Sequence, residues 1–413
     1  MGPQRDGVWR ESGVVSKLPA GGAPVKWTAP VAYGYAGPAV ADGKVFLFDY
    51  VLDSGEVANK PSRRDQLTGA ERLTCFDSAT GDIVWRKQYD RNYLVSYGGG
   101  PRCTPTVDGD RVYTLGAEGD LVCWSVSDGS EVWRVSFKGA FGAETPVWGH
   151  SAHPLVVGDT LYCVAGGPGS VAVAFDKATG DVKWKALSAS EPGYCPPTLI
   201  NHAGVDQLLI WHPESLNSLN PETGEVYWSL AIKPAYGMSI AAPQKQGDKL
   251  FVSAIGNVAL LIDLAEDKPA AEVVWSGGGK RGLRAVNATP LMGPGVIYGV
   301  DCETSELMAV SMDDGERLWA TKKPTFGNGR GRHGTAFLVR QEASGAYFLF
   351  SEQGDLITAD LSPEGYNETG RQKLLEMTSS SFGRPVVWTH PAFAERSVFA
   401  RNDKELVCVD LSE

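Results

Sequence analysis

Long apolar runs are missing from this 413-residue chain: nowhere do 18 apolar residues follow one another, so no segment is suited to cross a bilayer as a helix. Positive charge is scarce. Lysine and arginine total 38 against 49 aspartates and glutamates, a formal net charge of -11, which removes nonspecific affinity for nucleic acid or an anionic membrane from the expected functions. The first residues, Met1-Gly-Pro-Gln-Arg-Asp-Gly7, lack the apolar stretch and cleavage site of a secretory leader, so the sequence reads as cytoplasmic or as exported with its leader already removed. No Cys-x-x-Cys, no Gly-rich phosphate loop and no Gly-x-Ser-x-Gly elbow occurs, which leaves redox-motif, zinc, nucleotide and hydrolase chemistry without support. The 7 cysteines fall mostly in strand-like segments. Cys75, Cys123 and Cys408 recur at one repeat position, too far apart to bridge, and read as small buried hydrophobes.

Glycine and aromatics are plentiful, and they recur in order. Phe76-Asp-Ser-Ala-Thr-Gly-Asp-Ile-Val-Trp85, Phe175-Asp-Lys-Ala-Thr-Gly-Asp-Val-Lys-Trp184 and Leu219-Asn-Pro-Glu-Thr-Gly-Glu-Val-Tyr-Trp228 share one pattern. Shorter relatives lead to Trp133 and Trp319; Val274-Trp275 keeps the strand without the turn, and Gln372-Lys-Leu-Leu375 keeps it without the indole. With Trp27 the marks stand 44 to 58 residues apart, the spacing of propeller blades. The turn has a mechanism: its Asp or Asn accepts backbone N–H bonds, and its Gly supplies the positive φ of a tight reversal. Trp27, Trp85, Trp133, Trp184, Trp228, Trp275 and Trp319 are then expected to be wedges packed between neighbouring sheets.

A second string supplies the register. Pro38, Pro105, Pro154, Pro197, Pro243, Pro290 and Pro391, with Thr335 in their place once, each open an apolar strand. Proline cannot donate to a ladder and marks an edge, here the innermost strand beside the channel. The count is eight. The expected fold is all-β, one domain over residues 1–413: an eight-bladed β-propeller of four-stranded antiparallel blades, in which the strand around Trp27 completes the C-terminal blade. Residues 1–23 read as an N-terminal extension and 50–72 as a polar surface loop inserted in the first blade.

These Asp-x-x-Thr-Gly-x-x-x-Trp turns resemble the pyrroloquinoline quinone (PQQ)-like propeller repeats, found in quinoprotein alcohol dehydrogenases and in the scaffold lipoprotein of the outer-membrane β-barrel assembly machinery. The resemblance spans nearly the whole chain and implies the fold; one repeat serves both enzymes and scaffolds. Gly2-Pro-Gln-Arg-Asp-Gly7 is similar to the start of mature exported proteins of this kind, which implies a periplasmic or exported location. The dehydrogenases carry an adjacent cysteine pair over the quinone, and no Cys-Cys step is present here. Their calcium-binding acid and amide and their catalytic aspartate match no particular positions either.

Three residues before each recurrent proline stand Tyr35, Arg102, Ser151, Tyr194, Ile240, Asn287, Arg332 and Trp388. Strand alternation projects this set towards the mouth of the channel. Aromatics, two arginines and an amide there suit a small or polymeric anion, so Tyr35, Arg102, Tyr194, Asn287, Arg332 and Trp388 are the candidate binding residues, with Lys280, Arg281, Arg284, Arg330 and Arg384 on nearby loops. The alternative is structural: arginines paired to acids and tyrosines plugging the channel. His150, His153, His333 and His390 lie near without carboxylate or cysteine partners at ligand spacing, so no metal site is expected. The leading reading is a non-catalytic, monomeric scaffold binding a protein or an anionic ligand, with no cofactor. The rivals are a PQQ- and calcium-dependent dehydrogenase and a carbohydrate-binding propeller using Tyr35, Tyr194 and Trp388 as stacking platforms.

Overall fold

A computed structural model describes every residue except Met1, Pro3, Ser62, Asn328 and Arg330. It is nearly all β, with eight four-stranded antiparallel blades, the eight-bladed propeller that the repeats imply. The blades divide into two compact units of four.

The first unit takes residues 23–196 and 374–412 and holds the eighth, first, second and third blades. Its eighth blade joins the two ends of the chain. Val25–Pro30 pairs with Glu405–Asp410, Trp27 opposite Cys408, and the strands Ser397–Arg401 and Ala392–Ala394 follow inward. The first blade runs Ala39–Ala41, Lys44–Ser54, Asp65–Asp77, Ile83–Asp90; the second Thr106–Asp108, Arg111–Leu115, Asp120–Ser125, Glu131–Ser136; the third Leu155–Val157, Thr160–Val164, Ala172–Asp176, Val182–Ala186.

The turns show why the repeat has its composition. Asp77 Oδ1 accepts from the N–H groups of Ala79 and Thr80, both at 2.9 Å, and those bonds hold the Asp77 carboxyl below the usual range. Gly81 takes φ +77°, and a β-carbon there would stand 2.6 Å from the indole of Trp27 in the preceding blade. The turn therefore needs glycine twice over, for its backbone and for the ring that lies on it. Three indoles of this unit also donate to the carbonyl just beyond the strand that opens the next blade's turn: Trp27 to Ser78 at 2.8 Å, Trp85 to Val126 at 2.9 Å and Trp133 to Lys177 at 3.1 Å. Trp184 is half-buried, 5.9 Å from the ring of Tyr162. Apolar clusters such as Trp27, Phe76 and Phe399 fill the space between adjacent blades.

Residues 50–72 are not a surface loop. Lys44–Ser54 and Asp65–Asp77 form one long hairpin paired as far as Ser54 and Thr68, leaving only 55–64 as the connection, and Tyr93–Val95 adds to its far end. Two groups of this span are satisfied inside: buried Glu71 accepts from Tyr89, Tyr93 and the Ala117 N–H, and buried Tyr50 stacks on Tyr93 with centroids 4.1 Å apart.

The second unit takes residues 1–22, 197–373 and 413. Its fourth blade runs Thr198–His202, Val205–His212, Ser215–Leu219, Val226–Leu230; the fifth Gln244–Gln246, Lys249–Ala254, Val258–Leu264, Ala271–Ser276; the sixth Leu291–Gly293, Val296–Asp301, Glu306–Ser311, Arg317–Thr321; the seventh Ala336–Gln341, Tyr347–Ser351, Asp355–Ser362, Gly365–Lys373. Trp275 donates to Met312 and Trp319 to Ser362, repeating the inter-blade bond. Trp228 differs: its indole is held by Gln207 of its own blade at 2.9 Å. The seventh blade has a fifth strand, because Val8–Trp9 pairs in parallel with the end of Ala336–Gln341. Its inner strand is therefore not an open edge, and Val8 and Trp9 are part of the packed structure.

Candidate functional site

Loops that precede inner strands carry the candidate residues. Tyr35, Arg102, Tyr194 and Trp388 belong to the first unit, Asn287 and Arg332 to the second.

In the first unit Arg102 lies over the ring of Tyr35, 5.3 Å from its centroid. Its guanidinium donates to the carbonyls of Gly100, Ser96 and Tyr97 and forms no ion pair with a carboxylate among the described residues. These acceptors are neutral, so the position of the charge is fixed while the charge itself is not cancelled. The Tyr35 hydroxyl donates to Asn59 at 3.1 Å, and Asn59 donates on to Ser379; burial pushes the Tyr35 phenol pKa up. Trp388 stands half-buried between Tyr97 and Phe382, at 6.1 and 6.4 Å, with Arg384 5.9 Å over its ring. Phe382 is 49% exposed at the tip of the hairpin formed by Ser379–Ser381 and Arg384–Val386. Tyr194 is buried against Trp148, ring centroids 5.5 Å apart, and its hydroxyl has no acceptor among the described residues.

In the second unit Asn287 is spent on structure, donating to Thr335 at 3.0 Å and to the His333 carbonyl. Arg332 is exposed and makes no hydrogen bond or ion pair among the described residues. Lys280 and Arg281 are exposed as well. Arg284 is a different case: it grips Asp301 through two bonds of 2.8 and 3.1 Å, with Arg317 3.8 Å away, so it fills a polar core and leaves the basic cluster. Arg330 lies outside the described residues.

The histidines form no metal set; among the described residues no three His, Cys, Asp or Glu side chains are grouped to hold an ion. Burial lowers the His150 pKa to about 4, so its ring, edge-on to Phe137 at 5.4 Å, is neutral at neutral pH. All 7 cysteines are free and buried, and desolvation pushes Cys75 and Cys123 up to about 12.

Tyr97, Trp148, Asn59 and Phe382 escaped the sequence reading because they fall outside the repeat position. A weak signal existed: Tyr97-Gly-Gly-Gly100 and Ser381-Phe-Gly383 set an aromatic beside turn glycines.

A sequence profile described as outer membrane protein assembly factor BamB matches residues 69–321 and 212–413. Among solved structures, BamB from Moraxella catarrhalis superposes with a TM-score of 0.59 at 13% identity, covering 92% of this chain and 96% of that one. A europium-containing methanol dehydrogenase gives 0.58 at 12%, covering 94% and 84%. Quinohemoprotein alcohol dehydrogenase from Comamonas testosteroni gives 0.58 at 11%, covering 99% and 79%. At such identities the likeness is one of fold. No curated protein matches.

Proposed function

Because the chain belongs to the PQQ-like β-propeller family, in which one architecture serves both scaffolds and dehydrogenases, we propose from its own rim that it is a non-catalytic scaffold of the bacterial envelope, holding a protein partner. The observation that carries this is Arg102. An arginine locked to a carboxylate would be core filling, whereas this one keeps an uncancelled charge beside Tyr35, in the unit that also presents Trp388 and exposed Phe382. A pinned cation among aromatics that are already ordered is the usual anatomy of a binding hot spot, since little entropy remains to be lost. The name of the matching profile, an outer-membrane assembly factor, agrees with an envelope location.

The described residues fit the quinoprotein alternative poorly. Asp301 is engaged by Arg284 and Asp49 by Arg72, and among the described residues no three His, Cys, Asp or Glu side chains are grouped to hold an ion.

The test places a photo-crosslinking residue at Phe382 in the natural host. A discrete protein adduct is expected, reduced about tenfold by Arg102→Ala and weakened by added salt, with the β-sheet circular dichroism retained. Stoichiometric binding of PQQ with calcium, together with dye reduction by the loaded protein, would overturn the reading.

A further inference from the structure

The segment Arg5–Glu11 lies along the inner strands of the second unit as a ligand would. The Arg5 guanidinium donates to the Pro197 carbonyl at 2.8 Å, and Gln244 reaches the Arg5 carbonyl at 3.5 Å. Gly7, at φ +70°, sits against Leu291, where any side chain would strike the leucine. Val8 and Trp9 then run parallel to the seventh blade, opposite Arg340 and Gln341. The Arg340 N–H donates to the Gly7 carbonyl and the Glu342 N–H to that of Trp9, both at 2.9 Å, and the Gln341 amide donates to the Glu11 carbonyl at 2.7 Å. One side chain anchors the whole: Trp9 is 4% exposed, edge-on to Phe348 at 5.5 Å.

This is strand addition, with backbone bonds giving affinity and one aromatic giving choice. The contact is short. Only two residues pair, the ion pairs of Arg10 with Asp6 and Glu342 are solvent-facing, and the other four strands of the sheet pair among themselves. We propose that the inner edge of Ala336–Gln341 is a peptide-binding site for an extended segment with glycine two residues before tryptophan, occupied here by the chain's own N-terminal strap, and that a partner protein carrying such a segment docks by displacing the strap. The site shares no residue with the Arg102 rim, so failure of either reading leaves the other standing.

Two measurements decide it. In the natural chain, amide hydrogen exchange at Arg340 and Glu342 is expected to be about a hundredfold faster than at the amides shared between Ala336–Gln341 and Tyr347–Ser351, because the strap opens locally while the blade stays closed. Equal rates would mean that the strap leaves only when the fold does, and the proposal fails. The second uses a fluorescent peptide copying residues 4–12. Trp9→Ala, which loosens the strap but spares the receiving edge, is expected to bind it at least about tenfold more tightly than the natural chain, and Trp9→Ala with Phe348→Ala to lose that binding. If Trp9→Ala binds it no better, or binds equally a peptide whose tryptophan is replaced by alanine, the site does not exist as described. Should Trp9→Ala lose its β-sheet circular dichroism, exchange in the natural chain decides alone.

Discussion

At the scale of the residue, the wedge and its glycine are one device. Trp27→Ala or Trp275→Ala removes a buried indole and its bond to a carbonyl of the adjoining blade, and each is expected to cost about 3–5 kcal/mol in urea unfolding. Gly81→Ala leaves the sequence almost unchanged, yet should cost about 2–4 kcal/mol, because a non-glycine residue at positive φ is strained and its β-carbon meets the Trp27 ring. His150 adds a dependence on pH. Its folded pKa of about 4 lies below the ordinary value near 6.5, so the fold favours the neutral ring; the contribution is complete above about pH 6.5 and is lost as pH falls towards 4. Roughly 3 kcal/mol of stability should disappear across that window, and His150→Gln should flatten the profile of melting temperature against pH. An unchanged profile in the variant would mean that His150 contributes none of it.

At the scale of the element, closure of the eighth blade is the exposed joint. Without residues 1–30, Glu405–Asp410 becomes an open edge, and aggregation or a large fall in thermal midpoint is expected by light scattering and calorimetry. This joint was legible in the sequence because it follows from counting: three strands after His390 and a lone Trp27 strand at the start can satisfy each other only together. Repeats made the hairpins readable in the same way, since each copy carries its own turn chemistry. The long hairpin Lys44–Ser54 with Asp65–Asp77 was not readable, because its polar face is paid for by distant groups: Glu71 is accepted into the interior only by Tyr89, Tyr93 and the Ala117 N–H. The proposed rim was half legible. Position in the repeat located Tyr35 and Arg102, but it could not distinguish Arg102, held by carbonyls, from Arg284, locked to Asp301, since that difference depends on which acids the fold brings near.

At the scale of the whole molecule, all 7 thiols are buried and none is bridged. The native protein should therefore be silent towards a thiol reagent at neutral pH and indifferent to reductant, while the unfolded chain should titrate all 7. Rapid labelling of native Cys75 or Cys123 would contradict the packing. The joint of the eighth blade also has a consequence in time. Trp27 leaves a ribosome well before Cys408, and at roughly 5–20 residues per second the stretch between them takes about 20–80 s. Throughout it the strand Val25–Pro30 has no partner. Its proper mate arrives only after that interval, so a polypeptide halted before Glu405 carries an unsatisfied sticky end, and the fold itself reports whether synthesis has passed Asp410.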